Sequence, residues 1–107
     1  MKALLLIAHG SEDMETVITS DILHRGGIQV CHASVASKPG EPLHCANGVK
    51  VVADTTFEQV YDAGHALDYD ILVLPGGSKG YQTFSKVMHY RKGLFCRDLG
   101  PSCARCY

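Results

Sequence analysis

Two runs of consecutive aliphatic residues, each closing on glycine, constrain this chain most. They are "ALLLIAHG" at residues 3–10 and "DILVLPGG" at residues 70–77. A run apolar at every position, without the alternation of a half-exposed strand, fits a strand buried on both faces, as in a parallel sheet covered on each side. Strands are therefore expected at residues 4–8 and 71–74. The segment between them carries Ser11, then Met14, Val17, Ile18 and Ile22 at helical spacing, with Gly26-Gly27 after Arg25. That spacing predicts a helix over 14–25, capped by Ser11 and packed by its aliphatic stripe on one face of the sheet. "IQVCHASV" predicts a further strand over 28–33, broken by the turn residues "KPGEP". "GVKVVAD" reads as another strand, and Thr55 or Thr56 as the cap of a short helix in "FEQVYDAG". At least four strands in a doubly wound parallel α/β sheet is the expectation.

Beyond Tyr81 the pattern weakens. "YQTFSKVMHYRKG" offers about two helical turns, and "GLF" begins like a buried strand that "CRDLGPSCARCY" does not continue. At 107 residues, the chain is short for an open sheet covered on both faces. Residues 1–95 read as a partial domain, and residues 96–107 as a divergent tail.

Charge excludes some partners. Ten basic and eleven acidic side chains give a net charge of -1, which favours neither a phosphate backbone nor an anionic lipid surface. The first residues lack the length and flanks of a signal peptide or a membrane span, so a cytoplasmic protein is the default expectation. The cysteines at 31, 45, 96, 103 and 106 are odd in number and irregularly spaced, the pattern of reduced thiols rather than a disulfide framework. Cys103 and Cys106 form a single close pair, short of a structural zinc site, so neither a metal nor another cofactor is expected. Cys31 reads as a small core residue, and Cys45 as an exposed thiol beside a turn.

In open parallel sheets ligands meet the carboxyl ends of the strands, which brings "HGSEDME" and "PGGSKG" to one cleft. Gly76 and Gly77 can form an ordinary turn, or present amides to a developing oxyanion. Glu12 and Asp13 complement the positive end of a helix dipole. Glu15 either does the same or turns into the cleft, protonated as a hydrogen-bond donor or ionised as a base.

Taken in order, "LLLIAHGSEDMETV", "HRGGIQVCHASVAS", "GVKVVAD" and "DILVLPGGSKG" resemble the ThiJ/PfpI superfamily, in particular its Parkinsonism-associated deglycase branch. The resemblance implies a flavodoxin-like sandwich, commonly a homodimer, with a cysteine nucleophile on a strand-to-helix elbow. It also implies glyoxalase or deglycase activity, and redox-dependent chaperoning of client proteins. By the same resemblance Glu15 matches the acidic residue that bonds the nucleophilic sulfur. Gly77, beside Gly76, matches the oxyanion loop, Cys45 a peripheral redox-modifiable cysteine, and Arg25 a basic residue ending the first helix. The elbow itself has no counterpart: Leu99 falls at the nucleophile's place, Cys96 falls three positions early, and no later segment supplies the family's histidine. The expectation is a truncated member of the family, inactive as this chain, with Tyr81 and the residues after it mobile. The alternative is a non-catalytic fragment that senses oxidation or binds partners through its thiols and dimerising face.

Overall fold

The computed structural model describes residues 1–87 of the chain. Strand β1 (Lys2–Ile7) leads to helix α1 (Asp13–Arg25) and strand β2 (Gln29–Ser34). The hairpin β3 (Pro42–His44) and β4 (Lys50–Val52) comes next, then β5 (Thr55–Thr56), α2 (Phe57–Asp62), a 3-10 turn (Ala66–Asp68) and β6 (Ile71–Val73). Residues 78–87 are helical and are called α3. The main sheet is parallel throughout, in the order β5-β2-β1-β6.

As its composition requires, β1 lies in the middle of this sheet, and every residue from Ala3 to Ala8 is within 1% of complete burial. Its pleat divides the core in two. Leu4, Leu6 and Ala8 pack with Ala33, Val35, Phe57, Val60 and Phe84, which places α2 and α3 on that face. Leu5 and Ile7 pack with Leu43 of the hairpin, flanked by Val30, Val51 and Val73. Sequence reasoning holds for the three principal strands, for α1 and for Cys31, which sits half-buried against the first cluster.

Three expectations change. The "GVKVVAD" strand does not join the main sheet: Lys50–Val52 pairs antiparallel with Pro42–His44, and the fourth strand is Thr55–Thr56 beside β2. The turn residues before Pro42 give the chain a short reversal, which lets the apolar side chains of Leu43 and Val51 cover the Leu5 and Ile7 face without adding a strand. The cap of α1 is Glu12, whose Oε2 accepts the Glu15 amide at 2.8 Å. Ser11 instead closes the preceding turn, its Oγ accepting the Ala8 amide at 3.1 Å.

The third change concerns the aliphatic stripe of α1. Met14, Val17, Ile18 and Ile22 are 66, 47, 50 and 61% exposed, while Asp13 and Thr16 are the buried residues of the helix. Polar groups can face the core here because their hydrogen bonds are met: Thr16 Oγ1 donates to the Glu12 carbonyl at 2.8 Å, and Ser20 Oγ lies 2.7 Å from His32 Nε2. Thr56 does cap α2, in a reciprocal capping box with Gln59. Tyr81 begins no new element, since α3 starts three residues earlier and runs through Val87. The expected strand from Gly93 and the tail lie outside the described residues, as does most of the segment expected to be mobile from Tyr81 onward; its described part, residues 81–87, is helical with Phe84 in the core.

Candidate functional site

Pairing of β1 with β6 sets two loops side by side at the carboxyl end of the sheet, residues 8–12 and 74–77. They are joined by two hydrogen bonds that run in opposite directions. The Gly76 amide donates to Glu15 Oε2 at 2.6 Å, and the Gly76 carbonyl accepts from the Glu12 amide at 2.8 Å. Glu15, exposed in the first turn of α1, thus reaches across to the loop after β6 rather than merely complementing the helix dipole. At 2.6 Å the bond from the backbone amide to the carboxyl oxygen is short for an N–H donor.

Both glycines are required by this approach. A Cβ on Gly76 would collide with the Glu15 carboxylate, and one on Gly77 would strike the Gly10 carbonyl and come within 2.8 Å of the Glu12 nitrogen. Gly77 also holds a φ of +100°, which side-chain-bearing residues rarely adopt. The pair forms a turn, and the Gly76 amide is taken up by the Glu15 carboxyl.

A third loop, residues 44–49, braces the same end. The Gly10 amide donates to the His44 carbonyl at 2.8 Å and the Ala46 amide to the Ser11 carbonyl at 2.9 Å. Asp13 completes the attachment, its Oδ1 accepting from the Asn47 amide at 2.7 Å and its Oδ2 from the Val49 amide at 2.9 Å. Burial alone pushes the Asp13 carboxyl up, but the Val49 and Asn47 amides outweigh it and hold the group below its ordinary value. Asp13 is therefore a loop clamp, a role its place in the first helical turn did not reveal, because the partner amides lie more than thirty positions away.

Cys45 sits in this third loop and is 6% exposed, which corrects the expectation of an exposed thiol. Its amide donates to the Val49 carbonyl, and the clamped loop folds the side chain inward. Burial pushes the thiol up, and the charges of Asp13 and Glu12 push it further. A protonated thiol is a poor nucleophile and a slow target for oxidants. Next to it, His9 and His44 stack with centroids 5.7 Å apart, and His9 Nε2 lies 3.5 Å from Glu41 Oε1. Together with Cys45, Ser78 and Lys79 they line a cavity of about 450 Å³. Arg25 is set apart from the cleft, paired with Asp21 at 2.9 Å on the helix surface. Among the described residues no three His, Cys, Asp or Glu side chains converge as metal ligands. Nor, among them, is any helix long and apolar enough to cross a membrane. Cys96 and Leu99 lie outside the described residues, so the place of the nucleophile does not enter this geometry.

Comparison with known proteins gives the arrangement a context. The sequence profile of the DJ-1/PfpI family matches residues 1–106. The Parkinson disease protein 7 homolog of Danio rerio is 40% identical over 85 residues, which cover 79% of this chain and 42% of that protein. The glutathione-independent glyoxalase DJR-1.2 of Caenorhabditis elegans is 35% identical over 74 residues, covering 69% of this chain and 36% of that one. The crystal structure of Drosophila melanogaster DJ-1beta superposes with a TM-score of 0.67 at 31% identity, over 86% of this chain and 50% of that one. The chain spans less than half the length of the two curated relatives it matches here.

Proposed function

The chain belongs to the DJ-1/PfpI family, and on that premise we propose that its two facing loops are the acid and oxyanion half of a glyoxalase-type or deglycase-type site. The bond from the Gly76 amide to Glu15 Oε2, at 2.6 Å, carries the reading. It fixes a carboxyl that can exchange a proton beside the Gly76–Gly77 loop, whose Gly76 N–H it occupies until a reacting oxygen displaces it. In a complete site a thiolate adds to the aldehyde carbon of an α-oxoaldehyde, the sulfur–carbon bond forms, and the carbonyl electrons move to an oxygen held by the loop amides. Glu15 would hold the thiol proton or return it.

This polypeptide, in our reading, does not turn over. The free cysteines among the described residues are Cys31 and Cys45, and neither hydrogen-bonds Glu15 or Gly76. Leu99 stands in sequence where the resemblance puts the nucleophile. The cytoplasmic setting and the oxidative-stress and chaperone roles implied by the resemblance stand as parts of the same proposal. Methylglyoxal consumption by the purified 107-residue chain tests it. No loss of substrate above the buffer rate is expected. Turnover abolished by Cys96→Ser would show that the tail supplies a nucleophile after all.

The outward face of α1 favours a second, compatible role in self-association. Met14, Ile18 and Ile22 recur at intervals of four and are each at least half exposed. One apolar strip on a helix is a self-complementary surface for a two-fold dimer.

A further inference from the structure

On the opposite side of α1 from that strip, side chains from a helix, a strand and a loop form a continuous relay. Ser20 Oγ, in the helix, lies 2.7 Å from Nε2 of His32 in β2. The other ring nitrogen, Nδ1, lies 2.9 Å from Oδ2 of Asp54, just before β5, and the same oxygen accepts the His32 backbone amide at 2.9 Å. We propose that Ser20, His32 and Asp54 form a second nucleophilic site, separate from the Glu15 cleft, that accepts small activated acyl esters.

The order of contacts is the one acyl transfer needs: hydroxyl, imidazole, carboxylate, with the base oriented by the third member. Asp54 fixes the ring. Its backbone bond from His32 holds the carboxyl below its ordinary value, so it stays anionic at neutral pH and accepts Nδ1–H. Nε2 is then left with a lone pair for the Ser20 proton. The ring is also accessible, with 27% of its side-chain surface exposed.

A cavity of about 300 Å³ adjoins the hydroxyl, lined by Ile7, Val17 and Val51 together with Thr16, Ser20, His24, His32 and Asp21, whose carboxylate is paired with Arg25. Its size and apolar walls fit a short acyl chain. His24, one helical turn after Ser20, can direct a ring N–H toward an oxyanion formed beside it. In the acylation step Ser20 Oγ bonds to the acyl carbon as its proton moves to Nε2. The carbon–oxygen bond to the alcohol then breaks, and the alkoxide leaves with that proton. Water reverses the sequence, releasing the carboxylic acid and restoring Ser20. Nothing local in the sequence marks this site, because its members are 12 and 22 positions apart.

Incubation of the purified 107-residue chain with a fluorophosphonate probe, followed by peptide mass mapping, tests the assignment. A single adduct on Ser20 is expected, lost in Ser20→Ala and retained in Thr19→Ala. Cleavage of p-nitrophenyl butyrate should slow roughly 10²-fold in His32→Gln. Asp54→Asn, at a largely exposed side chain, should slow it as well and gives the reading even where His32→Gln does not fold. No adduct on Ser20, or ester cleavage unchanged in Ser20→Ala or Asp54→Asn, would overturn the proposal and leave the three residues as a tie between helix and sheet. Methylglyoxal turnover is read in a separate assay, so neither result decides the other.

Discussion

Gly77 and Gly10 approach so closely that the first has no room for a side chain: a Cβ there would meet the Gly10 carbonyl. That contact locks the loop after β6 onto the loop after β1, and with it the neighbouring bond between Gly76 and Glu15. Gly77→Ala should cost about 2–4 kcal/mol, from a disfavoured φ together with the clash. Gly40 has a positive φ but open space around it, so Gly40→Ala should cost only about 1–2 kcal/mol. Urea denaturation of the two variants checks the difference; equal losses would mean that the loops are not in contact.

Cys45 should be slow toward alkylating reagents. It is buried and its thiol is pushed up, whereas Cys31 is only half-buried. Competitive iodoacetamide labelling with peptide mapping should find Cys31 modified well before Cys45 in the native chain, and the two alike in urea. Early labelling of Cys45 would instead support the redox-modifiable role that the family resemblance implies.

The strands were legible in the sequence because burial on both faces leaves no alternation, and "ALLLIAHG" is such a run. The meeting of Glu15 with the Gly76–Gly77 loop was legible because β1 and β6 end at the same edge, and the topology of a parallel sheet follows from its strand pattern. The outward turn of Met14, Ile18 and Ile22 was not. Helical spacing shows that a stripe exists, but not whether it faces the sheet or another molecule. The inward face instead carries Thr16, bonded within its own helix end to the Glu12 carbonyl, and Ser20, whose partner His32 lies in β2. Asp13 escaped for the same reason, since a carboxylate in a first helical turn already has a sufficient local explanation in the dipole.

Asp13 gives the fold a pH dependence of definite sign. A carboxyl held lower in the folded chain than in the unfolded one contributes stability that is complete above the unfolded value, about 3.9. That contribution is lost as pH falls through the lower, folded value. Asp13→Asn should therefore reduce stability at neutral pH, and the gap from wild type should narrow in acid. Chemical denaturation at pH 7 and at pH 3 measures it; a gap that widens in acid would contradict the clamp.

The exposed strip on α1 should drive self-association. Ile18→Lys places a charge at its centre and should shift a dimer toward monomer in sedimentation equilibrium, with no change in far-ultraviolet circular dichroism. A wild-type chain that stays monomeric at high micromolar concentration would remove the proposed dimer face.

The account depends most on the bond between the Gly76 amide and the Glu15 carboxylate, and the amide proton of Gly76 reports on it directly. In a ¹H–¹⁵N correlation spectrum of the 107-residue chain, a bond as short as 2.6 Å should shift that proton strongly downfield. Glu15→Gln should return it toward the ordinary glycine range while the signals of Leu4 to Ile7 stay in place. A Gly76 resonance at an ordinary shift, unmoved by Glu15→Gln, would contradict the claim that these loops assemble one half of a catalytic site.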